Sequence, residues 1–248
     1  MDNIIDDQSV RKIVQCYAKV QDTKNAIQEI ITREDLNIEI LDRMVDYLDS
    51  IDLVVKRPMS TYSASKVVGR WAASQYGIGP VYTAGLISHI DITKARTAGS
   101  VWRYAGFDPS YSEQKYYFNG ELKNICFKIG QSFAKYSNKK QCFYGKLYLQ
   151  DKTRRIEKNN NLDYADKAAD ILKKDSFRYQ DDVIDLNNGK LPLEHIEAQA
   201  RRFAVKIFLS HYHAVAYQDY YGIPPSRPSY INIEGFEQEV DIPNNPFS

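Results

Sequence analysis

Two long segments near the start of the sequence carry apolar residues at the three- and four-residue steps of an amphipathic helix. They cover residues 9–31 and 35–55, and Pro58 is expected to end the second. The two stripes contain Val10, Ile13, Val14, Tyr17, Val20, Ile27, Ile30 and Ile31, then Leu41, Met44, Val45, Leu48 and Ile51. The pattern predicts an acidic helical hairpin or short coiled coil. Because such a unit more often packs or dimerises than carries a site, we expect a homodimer through residues 9–55.

The rest of the sequence keeps helical spacing and shows no strand pattern. Two stretches break it: a polar, tyrosine-rich loop from Asp108 to Gly120, and an irregular segment over residues 177–192. After Gly222 we expect an extended tail of proline, asparagine and acidic residues. The predicted helices cover residues 63–74 with Ser63 as the cap, 81–90, 98–105, 120–136, 143–161, 163–174, and 192 to about 221 with Pro192 in the first turn.

Composition narrows the class of protein. The 248 residues are 43% apolar and 26% charged, as in ordinary soluble globular proteins. No apolar run approaches the roughly 20 residues that span a bilayer, so we expect no membrane partner. The first residues are acidic and lack the basic and apolar regions of a secretion signal. The three cysteines, Cys16, Cys126 and Cys142, are far apart and form no CxxC pair, which indicates reduced thiols in a cytoplasmic protein.

The net charge of +1 hides a strong segmental pattern. Residues 1–60 hold 8 Lys and Arg against 12 Asp and Glu. Residues 61–160 hold 16 against 6, and residues 161–248 hold 9 against 14. A basic middle between acidic ends favours contact with a polyanion, because Lys and Arg that neutralise phosphates release condensed counterions.

The sequence "GIGPVYT", residues 77–83, predicts a tight turn between two helices inside this basic third. Glycines at 77 and 79 permit unusual backbone angles and the close approach of another backbone. Ile78 would insert between the helices, and the helix that begins at Pro80 would present unpaired amide groups at Val81, Tyr82 and Thr83. These amides and the helix dipole suit a phosphate. The alternative is a purely structural turn between helices.

The turn resembles the helix-hairpin-helix motif of many DNA repair and recombination proteins, which grips the duplex backbone without reading bases. That motif places a small residue four positions after its second glycine, where this sequence has Thr83. Carried over to this chain, the resemblance implies that Gly77, Ile78, Gly79, Val81, Tyr82 and Thr83 hold a phosphate. Lys94, Arg96 and Arg103 would contact neighbouring phosphates.

The similarity extends through "WRYAGFDPS", residues 102–110. Together with the turn, it resembles the C-terminal domain of a bacterial transposase family whose insertion elements use a bridge RNA. Weaker similarity covers roughly residues 60–222, and the acidic hairpin resembles the coiled coil that precedes this domain. The resemblance implies an origin in a mobile element or phage. It also implies a serine nucleophile after the Asp-Pro-Ser segment, for which Ser112 is the nearest equivalent.

Two departures from the family weaken the case for catalysis. Full-length relatives begin with a RuvC-like nuclease domain whose carboxylates bind magnesium, and no strand–carboxylate pattern for it is present here. Glu113 replaces an expected glycine beside Ser112, and no base that would activate this serine is identifiable. We therefore expect that transposase chemistry is lost, and we assign no catalytic residue.

Other groups of polar residues can be explained by packing or by exposure to solvent. His211 continues the apolar stripe of the last helix and is expected to be a packed histidine, with His213 on another face. Arg201, Arg202 and Lys206 form either a second phosphate patch or a solvated face. The basic and aromatic stretch over residues 138–155 suits stacking on single strands or RNA, although core packing also explains its tyrosines. The acidic pairs Asp181–Asp182 and Asp163/Asp166 lack partners at a convincing spacing, so we expect no metal site and no cofactor.

These observations together predict an all-α protein. Its expected parts are an acidic helical hairpin (1–60), a helix-hairpin-helix centre (61–136), a C-terminal helical unit (137–222) and an extended tail (223–248). The leading function is sequence-tolerant binding of duplex DNA, with RNA as an alternative ligand. Two other classes stay open: an active serine recombinase through Ser112, and an inhibitor or assembly factor that reuses the scaffold to bind a protein.

Overall fold

The computed structural model describes residues 5–34, 38–107, 118–174, 182–225 and 240–248. These residues form helices and no strand, which confirms the all-α prediction. Within them no helix is both long and apolar enough to cross a membrane. In chain order the helices are α1 (Asp7–Glu34), α2 (Glu39–Ala64), α3 (Val67–Ser74), α4 (Pro80–His89), α5 (Ala98–Tyr104), α6 (Gly120–Lys135), α7 (Phe143–Asn160), α8 (Ala165–Lys173), α9 (Asp182–Asn187) and α10 (Leu193–Tyr221).

Helix α4 is the buried centre of the N-terminal half. Its residues from Thr83 to His89 are all buried, and it packs against α1, α2, α3 and α6. A helix that is apolar all round must be enclosed by other elements, and "VYTAGLIS" has that character. The α1–α2 hairpin therefore packs onto α4 along one side of the molecule.

Helix α10 has the same role in the C-terminal half, where it packs against α3, α5, α6 and α7. Its Phe208 stacks on Trp71 of α3, with ring centroids 5.7 Å apart. Tyr144 of α7 donates its hydroxyl towards Nδ1 of His211, 2.8 Å away. His211 and His213 are both almost fully buried, which confirms that His211 is a packed histidine.

The expectation that Pro58 ends the second helix is wrong, because α2 continues through Pro58 to Ala64. The residues beyond the proline are drawn into the core, where Met59 is fully buried and Ser63 nearly so. Ser63 is consequently not the cap of the next helix, which begins at Val67. Its hydroxyl instead lies 3.4 Å from the carbonyl oxygen of Pro80.

The segment expected to be irregular contains a short helix, α9, so that expectation is also wrong for residues 182–187. Leu186 of α9 is buried in a small separate cluster with Ala168, Leu191 and Ile196. Asn159 holds the chain beside this cluster, because its side-chain amide accepts from the Leu191 amide (2.8 Å) and donates to the Leu191 carbonyl (2.9 Å).

Residues 240–248 lie against the core rather than apart from it. Trp71 Nε1 donates to the Pro243 carbonyl (2.9 Å), and His211 Nε2 lies 3.0 Å from the Val240 carbonyl. Val240 and Ile242 pack on the main apolar cluster. This part of the predicted tail, which has no helix, is therefore a component of the packed fold.

Candidate nucleic-acid interface

The Gly77–Pro80 turn connects α3 to α4 as the sequence predicts. Gly77 has φ +92°, a conformation that favours glycine, and its carbonyl accepts from the Ser132 hydroxyl of α6 (2.5 Å). Ile78 is 6% exposed and belongs to the core cluster, so it is an apolar plug. Gly79 is the N-cap of α4, and Pro80 is its first residue. These contacts fix the turn from the inside.

Only some backbone amides at the start of α4 are left without an acceptor and so could bind a ligand. Pro80 has no N–H, and the Thr83 amide and hydroxyl both donate to the Gly79 carbonyl at 3.1 Å. The amides of Val81 and Tyr82 have no acceptor within the described parts of the chain. A Cβ added at Gly79 would meet no atom within 4 Å, so the outer side of the turn is open.

The electrostatic surroundings of the turn are mixed. Tyr82 is largely buried, and its pKa is raised first by burial and then by the carboxylates Asp22 and Asp52. Both acids are paired: Asp22 accepts from Lys128 Nζ at 2.7 Å, and Asp52 accepts from Lys56 and Tyr17. The start of α4 therefore combines two amides without an acceptor in the described chain with nearby acidic groups of the hairpin.

The predicted basic neighbours lie elsewhere. Lys94 and Arg96 follow the C-terminal end of α4, which is ten residues long and so spans about 15 Å. Lys94 is exposed and forms a 3.3 Å ion pair with Asp91, whereas Arg103 is on α5. Lys94 and Arg96 thus follow the opposite end of α4 from the Gly77–Pro80 turn, so a ligand would have to extend along this helix to contact both ends.

Ser112 and Glu113 lie outside the described residues, so the serine recombinase hypothesis stays a prediction that the structure does not test. The two ends of that loop are described. The Asn119 amide donates to the Tyr104 carbonyl at 2.8 Å, which joins the start of α6 to the end of α5. The Asn119 side chain caps α6 by accepting from the Leu122 amide.

A basic groove is lined by residues of α6, α7 and α10 and by Gly106 and Phe107, which follow α5. We define it by the five cationic side chains that line it: Lys123, Arg155, Arg201, Arg202 and Lys206. Its volume is about 460 Å³, and no carboxylate belongs to its lining within the described ranges. Apolar groups form the floor, among them Phe127, whose side chain is half exposed. The groove thus combines cations with an accessible aromatic ring.

The groove and its rim hold more cations than acids to balance them. Asp151 accepts from Arg154 and Arg155, and Glu197 accepts from Lys152 and Arg201. Lys123 and Lys206 lie over the rings of Phe118 and Trp102, at 4.4 and 5.1 Å from the ring centroids. Arg202 is exposed and makes no ion pair with a described residue. The side-chain nitrogen of Gln199, also in the lining, is a buried donor with no acceptor among described groups.

The cations near the groove lower the pKa values of two neighbouring side chains, Lys167 and His195. The pKa of Lys167 on α8 is lowered by burial and then by the charges of Arg155 and Arg202. The pKa of His195 on α10 is lowered by burial and then by Lys167, Arg202 and Arg155, against a smaller opposing effect of Asp182. Arg155 is neutralised by Asp151, whereas Arg202 forms no ion pair with a described residue, so an anion bound here would relieve the repulsion between Arg202 and these bases.

Sequence reasoning found part of this groove. The position of Arg201, Arg202 and Lys206 on one helix predicts either a phosphate patch or a solvated face. Arg155 ends the basic and aromatic stretch 138–155, for which the sequence predicts contact with single strands or RNA. Lys123 was not predicted as a lining residue, because it comes from another helix whose packing determines which lysines and arginines converge. The segmental charge was the signal, since both belong to the basic third of the chain.

No cluster of three or more metal-ligating side chains occurs in the parts of the chain that the structure describes. Comparison with known proteins gave no family model, no curated protein and no solved structure that matches this chain.

Proposed function

We propose that this protein binds nucleic acid in a sequence-tolerant way through the basic groove, with the Gly77–Pro80 turn as a further backbone contact. The observation that carries the proposal is the convergence of five cations from three helices on one concave surface whose described lining contains no acid. Lys and Arg arranged in this way contact phosphates, which carry no sequence information. The origin of the chain in a transposase-like domain is part of the same proposal and rests on the "GIGP" and "YAGFDPS" motifs.

The turn is proposed as a backbone contact for a separate reason. Its outer side is open at Gly79, and the Val81 and Tyr82 amides have no acceptor in the described chain. A sugar–phosphate backbone that approaches this surface would meet two donors and no side chain at position 79. Duplex DNA is the ligand that the helix-hairpin-helix resemblance favours, and single-stranded DNA or RNA is the alternative that Phe127 in the groove favours.

Fluorescence anisotropy with labelled duplex DNA, single-stranded DNA and RNA of equal length tests the proposal. If the five groove cations each neutralise a phosphate, affinity for duplex falls with salt with a slope of roughly −4 to −5. Arg202→Glu should weaken binding by about tenfold and reduce the slope by about one. Arg33→Glu, the same charge change at an exposed arginine of α1, is the matched control and should bind like the wild type.

The turn is tested separately with Gly79→Asp, which adds a negative charge in front of the two open amides. We expect this variant to lose affinity while it keeps the helical circular dichroism signal. An unchanged affinity, together with a loss in Arg202→Glu, would restrict binding to the groove. The proposed function would be refuted if none of the three nucleic acids bound at low salt.

A further inference from the structure

The outer face of α2 carries a second apolar stripe, which we call the outer stripe. Its residues are spaced by four, three, four and three positions, the a/d pattern of a coiled-coil heptad. All five side chains are exposed to solvent: Ile40 by 65%, Met44 by 43%, Tyr47 by 66%, Ile51 by 41% and Val54 by 72%. Apolar side chains scattered singly on a surface need no explanation, but a regular row of five marks a contact surface.

The inner stripe of the same helix already has its partner. Leu41, Val45, Leu48 and Val55 are less exposed than the outer stripe, and Val55 packs on the main apolar cluster. Helix α1 holds α2 through polar contacts. Tyr17 and Gln21 of α1 donate to Asp52 of α2, and Lys24 pairs with Asp49. Helix α2 makes its main contacts with α1, α3 and α4, and the side chains of the outer stripe stay exposed.

We propose that the outer stripe packs against the outer stripe of a second copy of the chain, with the two α2 helices antiparallel. Two antiparallel hairpins that meet in this way form a four-helix bundle, and a two-fold axis lets one self-complementary patch serve both chains. This inference does not rest on the proposed function.

Charge favours the antiparallel arrangement. The first half of α2 is acidic, with Glu39, Asp42, Asp46 and Asp49 against Arg43. Its later part carries Lys56, which pairs with Asp52, and the exposed Arg57, so this part has a small net positive charge. Antiparallel pairing brings the acidic start of each helix beside the basic end of the other. Parallel pairing would align like charges and like helix dipoles, which is unfavourable. The acidic character of the hairpin also makes it unsuited to an anionic nucleic acid.

Sedimentation equilibrium over a hundredfold range of concentration tests the association. We expect the wild type to reach twice the chain mass of 28.6 kDa. Tyr47→Glu combined with Ile51→Glu should raise the dissociation constant at least tenfold and leave helicity unchanged, because both side chains are exposed in the single chain. Its melting temperature should equal that of the wild type at concentrations where both are monomers, since dimerisation itself stabilises the folded chain. Ser60→Glu adds charge to the same helix beyond the stripe and should leave the dimer intact. A wild type that stays at 28.6 kDa throughout overturns the proposal, and the stripe then belongs to a different partner.

Crosslinking determines the orientation. In a Cys16→Ser background the other two native thiols are buried, so a short bismaleimide will report the introduced cysteines. We expect a mixture of Ile40→Cys and Val54→Cys proteins to form crosslinked dimers, whereas Ile40→Cys alone should not. Efficient crosslinking of Ile40→Cys with itself would show a parallel pair and overturn the antiparallel arrangement.

Discussion

Gly69 and Gly79 differ in the space that the fold leaves for a side chain. A Cβ at Gly69 would lie 2.0 Å from the Ser63 carbonyl oxygen and 2.8 Å from Ile87 Cδ1, so close packing of α3 requires a residue without a side chain. At Gly79 the φ angle is −88°, and no atom lies within 4 Å of an added Cβ. The fold itself therefore does not require glycine at position 79, which agrees with a role outside the fold.

Alanine at each position separates the two reasons. Gly69→Ala should lower the free energy of unfolding by about 1–3 kcal/mol, because the backbone of α2 must move to admit the methyl group. Gly79→Ala should change it by less than about 0.5 kcal/mol. Urea denaturation followed by circular dichroism measures both. Equal destabilisation by the two variants would contradict the packing argument.

At the scale of the elements, local pattern predicted most helices and failed where tertiary burial decides. The turn at Gly77–Pro80 and the long α10 follow from local signals, namely glycine, proline and apolar spacing. Pro58 wrongly predicted a helix end, because a helix-breaking residue can be recognised locally. The burial of Met59 in the core, which compensates for the lost backbone hydrogen bond, depends on tertiary packing. Helix α9 was missed because its six residues are too few to show a period, and its buried Leu186 depends on α8 and α10. The basic groove was only partly visible for the same reason: three helices build it.

Proline inside α2 has a measurable cost. Pro58 cannot donate to the Val54 carbonyl, and proline in a helix interior costs about 3 kcal/mol relative to alanine. Pro58→Ala should therefore raise the free energy of unfolding, by about 1–3 kcal/mol, and raise the melting temperature. Thermal and urea unfolding measure the change. A destabilised Pro58→Ala protein would indicate that the packing of α2 on α4 needs the bend that proline imposes.

At the scale of the whole molecule, buried histidines connect distant parts of the fold. His211 on α10 lies between the Tyr144 hydroxyl of α7 and the Val240 carbonyl near the end of the sequence. His213 faces the Ala95 carbonyl, and His89 lies 3.3 Å from both Asn119 and Glu121. Burial lowers the pKa of His211 and of His89 to about 4 and also lowers that of His213. The fold therefore holds these rings neutral.

This gives stability a definite dependence on pH. Because the unfolded chain binds protons near pH 6.5 and folded His211 only near pH 4, the free energy of unfolding falls as pH drops between these values. His211 alone should contribute a loss of about 2 kcal/mol between pH 7 and pH 5. Urea unfolding at the two pH values measures it, and His211→Gln should show a smaller difference. Equal wild-type stability at both values would contradict the neutral, buried state.

The enclosure of α4 has a consequence for hydrogen exchange. Amides in the buried part of this helix can exchange with solvent only when the whole molecule opens. The amide of Tyr82, which lacks an acceptor within the described chain and belongs to a partly exposed residue, should exchange faster. Exchange rates within this one helix thus measure two things: slow amides report global unfolding, and fast amides report the accessibility of the turn. A nucleic acid held in the basic groove would slow the first set through linkage. Only a backbone that rests on the turn itself would slow the second.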